Sequence, residues 1–220
     1  MIAALLNNLG LIVKERQDYV RATALFEESM ALDRARENHR GVISALSNLG
    51  WVAHAQGNYA AAAALAQECL TRCQDIGDAY LATHALGNLA HAAYALGDMD
   101  RAAALYRDTL VEAGVLGVRW GLAVCLEALA RVRARQGWPE HAVRWWGAAA
   151  ALRAEIGAPL SLEDRVAYDY DRSVAEARAR LGNALFEAGW VAGEAAGIEQ
   201  AVAEALDPGE PGEASHVGDA

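Results

Sequence analysis

Apolar and polar positions recur with a period of 40 along the first 160 residues. In each copy a leucine is followed by a small residue, an alanine comes twelve positions later, and an aromatic residue follows four positions further in three copies out of four. The three signature positions are Gly10, Gly50, Ala90 and Ala130, then Ala22, Ala62, Ala102 and Ala142, then Phe26, Ala66, Tyr106 and Trp146. A strict period with two helix-length apolar segments per copy is typical of a helical solenoid. We therefore expect an all-α protein that acts through an extended surface.

Each copy predicts a helix A, a tight turn, a helix B and a loop. In the second copy, apolar residues at helical spacing predict helix A over residues 42–55 and helix B over residues 59–74. Asn58 has the side chain and the place of a helix N-cap, and the glycine before it suits the left-handed turn that ends helix A. The two turn positions are Gly57, Gly97 and Gly137, then Gly77, Gly117 and Gly157, with Gln17 and Glu37 in the first copy.

After residue 160 the period stops. A long helix is predicted over 162–181, followed by two short helices over 184–193 and 198–206, which together would cap the solenoid. The last residues are rich in proline, glycine and acidic side chains, a composition typical of disorder. The predicted organisation is four 40-residue helix pairs in 1–160, capping helices in 161–206 and a disordered acidic tail in 207–220.

The spacing of the signature residues resembles the tetratricopeptide repeat over residues 1–160. This resemblance implies a right-handed α-α superhelix of four helix pairs plus C-terminal capping helices. It also implies a protein–protein interaction module that binds a peptide or protein segment in its concave groove. The sequence departs from the pattern at Ala66, which replaces the aromatic residue, and at Gln17, which replaces a turn glycine.

A narrower resemblance lies in residues 26–32 with 48–53, 142–160, and 185–190 with 198–206. These stretches are similar to the repeats of MalT-like and LuxR-type bacterial ATPase transcription regulators. The resemblance implies the sensor or inhibitory arm of a cytoplasmic signalling or transcription regulator. A phosphate-binding loop is missing, because the sole lysine, Lys14, follows Ile-Val and not glycine. ATPase and DNA-binding activities are therefore not transferred to this chain.

Three rows of helix A residues are candidates for groove contacts, because the resemblance implies that helix A lines the groove. An asparagine row comes first, and side-chain amides offer a donor and an acceptor to an extended peptide. The alternative is that these asparagines bridge neighbouring helices and that the aromatic residues pack helices together. The candidate residues are Asn8, Asn48 and Asn88, then Trp51, His91 and Arg131, then Lys14, His54 and Tyr94.

Charge and composition exclude several classes of function. The net charge is −10, and residues 161–220 carry −9 of it. We expect no direct nucleic acid contact, because no basic stripe is present, and no membrane span, because no apolar run is long enough. Three cysteines, an odd number, favour reducing cytoplasm. No converging catalytic or metal-ligating set is apparent, so the sequence predicts neither an enzyme nor a cofactor.

The first helix A is apolar on more than one side. In a solenoid, one side of a helix A packs on the preceding helix B, and the sequence shows no preceding copy. Two hypotheses stay open: the polypeptide continues upstream, or this edge forms a homo-oligomer. A purely structural or oligomerisation scaffold without a groove ligand is the alternative function. The residues concerned are Ile2, Leu5, Leu6, Leu9, Ile12 and Val13.

Overall fold

The structure, a computed structural model, describes residues 1–160, 165 and 169–207, and within them it contains ten helices and no strand. The all-α fold of consecutive helix pairs is thus confirmed. The helices are α1 (Ile2–Glu15), α2 (Tyr19–Arg34), α3 (His39–Ala55), α4 (Tyr59–Asp75), α5 (Ala79–Ala95), α6 (Met99–Val115), α7 (Arg119–Arg135), α8 (Pro139–Ile156), α9 (Tyr170–Leu181) and α10 (Asn183–Leu206).

The chain forms two compact units, which we call the first unit (Met1–Leu116) and the second unit (Gly117–Ala220). The first unit holds α1 to α6, three helix pairs in which each helix packs on the next. The second unit holds the fourth pair, α7 and α8, together with α9 and α10, and α8 packs on both α7 and α10. The fourth pair therefore makes more of its contacts with the C-terminal helices, although the 40-residue period relates it to the first three pairs.

Short polar side chains cap five of the ten described helices. Asn58 accepts a hydrogen bond from the Ala61 backbone N–H at 3.3 Å, which confirms the predicted cap of α4. The same arrangement starts four other helices, with caps at Asp18, Asn38, Asp78 and Asp98. Pro139 occupies the first turn of α8, where its missing N–H costs no hydrogen bond.

Turns between the helices use the left-handed backbone conformation that glycine adopts most easily. Gly57 has φ 76°, as its position after α3 predicts. In the first copy Gln17 and Glu37 adopt φ 62° and 55° at the corresponding positions. A residue with a Cβ pays about 1 kcal/mol for this conformation. The first helix pair thus contains two strained turns that the later pairs lack.

The signature positions form the contact between the helices of a pair. Phe26 of α2 is fully buried, and its ring lies against the backbone of Gly10 in α1, where an added Cβ would lie 2.5 Å from the ring. In the second copy Ala66 occupies the position that is aromatic in the other copies. A Cβ added to Gly50 would lie 3.6 Å from Leu65, which is an ordinary van der Waals distance. Gly10 therefore makes room for the Phe26 ring, whereas Gly50 has no such contact; in the third and fourth copies alanine occupies this position opposite Tyr106 and Trp146.

Glycines also bring α8 and α10 together in the second unit. A Cβ on Gly193 would overlap the carbonyl oxygen of Arg144, and a Cβ on Gly147 would overlap that of Trp190. The two helices thus cross with backbone against backbone. Gly197, with φ 78° and ψ 174°, interrupts α10, close to the predicted break between two short helices.

The expected long helix over 162–181 is described from Tyr170 onward, and Arg165 is helical. Residues 161–164 and 166–168 lie outside the described residues. Among the described residues of the C-terminal helices, α10 packs on α8 more extensively than α9 does. The expected disordered tail also lies outside the described residues, apart from Asp207.

Candidate functional site

The three asparagines of the predicted groove row lie on α1, α3 and α5 of the first unit. Asn48 Nδ2 donates to Asn7 Oδ1 at 2.9 Å, and Asn88 Nδ2 donates to Ser47 Oγ at 3.3 Å. Each amide therefore links its helix A to the preceding helix A. Both side chains are half-buried, and Asn8 is exposed. Within the described residues, the side-chain carbonyl oxygens of all three accept no hydrogen bond.

An aromatic and cationic cluster connects the first two helix pairs. Lys14 Nζ lies 4.0 Å from the centre of the Trp51 ring, a cation–π contact between α1 and α3. The ring centre of Tyr19 lies 6.2 Å from that of Trp51, and the two rings are tilted by 58°. Lys14 and Trp51 are both half-buried. Two predicted site residues thus meet and keep part of their surface in solvent.

The remaining predicted residues of the first unit differ in exposure. His54 is half-buried and its ring lies 5.2 Å from that of Tyr59. His91 is buried, and its Nδ1 shares a 2.6 Å hydrogen bond with the hydroxyl of Tyr106. Tyr94 is buried as well. Of these predicted groove residues, Trp51 and His54 keep part of their surface in solvent, while His91 and Tyr94 have the burial of helix-packing residues.

Arg131 belongs to the second unit and is buried to 4% exposure on α7. It lines a small cavity between α7 and α9 together with Arg135, Ser173, Glu176 and Arg180. Arg180 donates to the carbonyl oxygen of Ala134 at 3.1 Å, which ties α9 to α7. The burial of Arg131 is that of a residue in helix packing rather than of an open groove.

The sequence interpretation missed a buried ion pair in the second unit. Arg153 Nε and Nη2 donate to the two carboxylate oxygens of Glu127 at 2.6 and 2.9 Å, and Nη1 donates to the Ala158 carbonyl at 3.1 Å. Trp146 Nε1 donates to the backbone carbonyl of Glu127 at 3.2 Å. Burial raises the pKa of the nearby Tyr170 hydroxyl, and the Glu127 carboxylate raises it further. This network joins α7 and α8 through paired charges.

The period itself contains a signal for that pair. Glu127 occupies the register of Asn7, Ser47 and Gly87, and Arg153 occupies the register of Asp33, Cys73 and Ala113. Opposite charges enter both rows in the same copy, and only there. Alignment of the two rows therefore marks both residues as unusual, although it does not show that they are in contact.

Cysteines occupy packing positions, as the small residues in their register predict. Cys69 Sγ lies 3.7 Å from the carbonyl oxygen of Ile43, and Ser29 Oγ donates to the equivalent carbonyl of Ala3 at 2.8 Å. Burial raises the pKa of Cys69 and of Cys125 from 9.0 to about 12 each. Protonated, buried thiols are poor nucleophiles at neutral pH.

No group of three or more His, Cys, Asp or Glu side chains in the described ranges is placed to hold a metal ion. Over residues 1–160, 165 and 169–207, none of the helices combines the length and the apolar character that crossing a membrane requires.

The geometry defines a helical-repeat protein in which the residues at the recurring positions pack the helices of each pair together. A tetratricopeptide-repeat family model matches residues 1–75, and a second tetratricopeptide-repeat model matches residues 85–114. The chain therefore carries tetratricopeptide repeats, and the matched segments lie within the first unit. Such repeats indicate a protein–protein interaction module. A comparison with curated proteins gives no match.

Proposed function

We propose that the chain binds an extended segment of a partner protein along the A helices of the first unit. The observation that carries this proposal is the asparagine row, in which Asn8, Asn48 and Asn88 keep acceptor oxygens without a partner among the described residues. Backbone N–H groups of an extended peptide are the donors that such oxygens take. Trp51, held by Lys14 and partly exposed, is the aromatic anchor beside the row.

The spacing of the row sets the length of the bound segment. Packed helices lie about 8–10 Å apart. An extended chain advances about 3.3 Å per residue, so one A helix corresponds to roughly three peptide residues. Three asparagines on consecutive A helices therefore suit a segment of about seven residues.

The hydrogen bonds of Asn48 and Asn88 to neighbouring helices favour the second candidate, a scaffold without a groove ligand. The two roles are separable because each bond has a donor and an acceptor residue. Replacing Asn48 and Asn88 removes both hydrogen bonds between the A helices and two of the three asparagines of the row. Replacing their acceptors, Asn7 and Ser47, removes the same links and keeps the row.

The test starts with a displayed library of random seven-residue peptides, selected on the full chain. Affinity of a selected peptide is then measured by fluorescence anisotropy for two double variants, Asn48→Ala/Asn88→Ala and Asn7→Ala/Ser47→Ala. We expect the first to weaken binding at least tenfold and the second to leave it nearly unchanged, with similar losses in thermal stability. Equal affinities in the two variants, or a library that yields no binder, would favour the scaffold.

We also propose that the module acts in the cytoplasm as the regulatory arm of a bacterial signalling or transcription regulator. The resemblance of residues 26–32 and 142–160 to MalT-like and LuxR-type repeats supports this role. Phe26 and Trp146, in those stretches, are fully buried, so they contribute to packing and not to ligand choice. An immunoblot of denatured source cells with an antibody against residues 1–160 tests it. A band far above 23.4 kDa supports a regulator arm, and a band at that mass argues for a separate adaptor.

A further inference from the structure

Three arginines surround the small cavity between α7 and α9 in the second unit. Arg131 and Arg135 lie one turn apart on α7, and Arg180 reaches the cavity from α9. Glu176 of α9 is the one carboxylate among the described residues of the lining. Three guanidinium groups and one carboxylate leave two positive charges in the lining. We call Arg131, Arg135 and Arg180 the arginine cluster.

The positive charge of this cavity differs from the charge of the unit around it. The second unit carries ten arginines against sixteen acidic residues. On α9 itself, Arg172 forms an ion pair with Asp169, and Arg178 forms one with Glu187 at 2.6 Å. Arg180, on the same helix, makes no ion pair within the part of the chain that the structure describes. The excess of positive charge is therefore local to the cavity.

Arg180 is held at the cavity by one hydrogen bond. Its Nη1 donates to the carbonyl oxygen of Ala134 at 3.1 Å, which fixes the guanidinium group on the last turn of α7. Over residues 1–160, 165 and 169–207, its Nε and Nη2 have no acceptor. A guanidinium group has five N–H donors in a planar fork. Most of the donors of Arg180 can therefore reach a ligand in the cavity.

The other charges of the lining also favour a bound anion. Arg131 is only 4% exposed, so solvent screens its charge little. Glu176 is exposed and lies 3.7 Å from Nε of Arg172, which compensates this carboxylate from outside the cavity. Within the lining, one carboxylate that is shared with Arg172 does not balance three guanidinium groups.

We propose that the arginine cluster binds a phosphate group in the cavity between α7 and α9. The planar fork of arginine matches the oxygens of phosphate and forms charge-assisted hydrogen bonds with them. Two positive charges suit this group, because a phosphate ester carries about −1.5 to −2 at neutral pH. The cavity has a volume of about 280 Å³ with the solvent at its mouth, so it accepts one small group and not a peptide. The site is independent of the asparagine row, which belongs to the first unit.

Titration of the full chain with inorganic phosphate at constant ionic strength, followed by phosphorus NMR, tests the site. We expect the affinity to fall at least tenfold in Arg180→Gln and in Arg135→Gln, because each loses charge-assisted hydrogen bonds. Glu176→Gln removes the opposing carboxylate and should bind phosphate several-fold more tightly. Arg178→Gln is the matched control, with the same change of charge on the same helix and outside the lining, and should keep the native affinity.

Two further ligands show what carries the phosphate group. Tighter binding of O-phosphoserine than of inorganic phosphate indicates a phosphate ester, and weaker binding indicates the free ion. Circular dichroism at the temperature of the titration shows that each variant is folded. Three results would each overturn the proposal: no binding at millimolar phosphate, equal affinities in Arg180→Gln, Arg135→Gln and the native chain, or acetate that binds as tightly as phosphate. The arginines of α7 would then only balance the carbonyl groups at the C-terminal end of that helix.

Discussion

The third and fourth helix pairs use the same register of the 40-residue period but satisfy their buried polar atoms in different ways. In the third pair, the hydroxyl of Tyr106 is bonded to Nδ1 of His91 on the other helix of the pair. In the fourth pair, the indole N–H of Trp146 is bonded to the backbone carbonyl of Glu127. The residue at the aromatic position thus determines which partner the facing helix must supply, because a buried donor without an acceptor is costly.

The first two pairs extend the same comparison. Phe26 has no polar atom and needs only space, which Gly10 provides. Ala66 needs neither a polar partner nor space for a ring, and a Cβ added to Gly50 would make only ordinary contacts. The period therefore defines a set of facing positions, and each copy fills these positions with a combination of its own. The following changes disturb these combinations one at a time.

The largest effect is expected from breaking the ion pair of the fourth helix pair. Arg153→Met leaves the Glu127 carboxylate buried without its bidentate partner, which costs about 3–5 kcal/mol of unfolding free energy. The double change Glu127→Leu/Arg153→Met removes both charges, and the third pair likewise has uncharged residues, Gly87 and Ala113, at these positions. It should recover most of that loss. Urea unfolding followed by tryptophan fluorescence measures the unfolding free energy of both variants, since five of the six tryptophans lie in the second unit. A single variant as stable as the native chain would contradict the expectation.

The next effect concerns the contact between α8 and α10. Gly193→Ala forces a methyl group onto the carbonyl of Arg144 and should destabilise the second unit by about 3 kcal/mol. Gly189→Ala is the control in the same helix, because its Cβ would meet a methyl group of the Val143 side chain at 3.1 Å and no backbone carbonyl. We expect it to cost less than about 1 kcal/mol. Equal losses in both variants would mean that the two helices do not depend on the glycine contact.

A smaller effect on stability should distinguish Gly10 of the first helix pair from Gly50 of the second. Gly10→Ala drives a methyl group into the Phe26 ring and should destabilise the first unit by about 2 kcal/mol, despite the better helix propensity of alanine. Gly50→Ala has space and should stabilise it by about 0.5–1 kcal/mol. Thermal unfolding followed by circular dichroism compares them. Shifts of the same sign would show that the facing residue does not decide the outcome.

The smallest effect per residue is a loss of unfolding free energy at alkaline pH. Folding raises the pKa of Cys69 and Cys125 from 9.0 to about 12, so the unfolded chain loses thiol protons first. The contribution of these thiols is complete below pH 9 and is lost as the pH rises from 9 toward 12. At one pH unit above 9 each thiol should lower stability by about 1 kcal/mol. Urea midpoints between pH 8 and 10 should fall less in Cys69→Ser/Cys125→Ser, where Ser29 shows that serine fits the first of these positions.

Local features of the fold were predictable because they depend on neighbours in sequence. The cap at Asn58, the left-handed turn at Gly57, the C-terminal end of α3 and the start of α4 follow from residues a few positions apart, whereas α3 begins at His39, three residues before the predicted start. Hydrogen bonds between side chains of different helices were harder to predict. The asparagine row was visible, but its links to Asn7 and Ser47 join residues 41 positions apart.

Two features of the second unit escaped prediction for physical reasons. The Glu127–Arg153 pair joins residues 26 positions apart, and a charged residue inside a helix pair contradicts the usual preference for the surface. The crossing of α8 and α10 depends on the absence of side chains, and Gly147, Gly189 and Gly193 follow no 40-residue period. A periodic pattern predicts its own repetition, and it carries no information on the helices that end it.

The strained turns at Gln17 and Glu37 have a consequence for building new proteins from this chain. Residues 39–78 contain a complete helix A and helix B, glycine at both turns, and an aspartate that caps the following helix. Joined end to end, copies of this block would repeat favourable turns without the conformational cost of the first copy. The second repeat, and not the first, is therefore the better template for a consensus array.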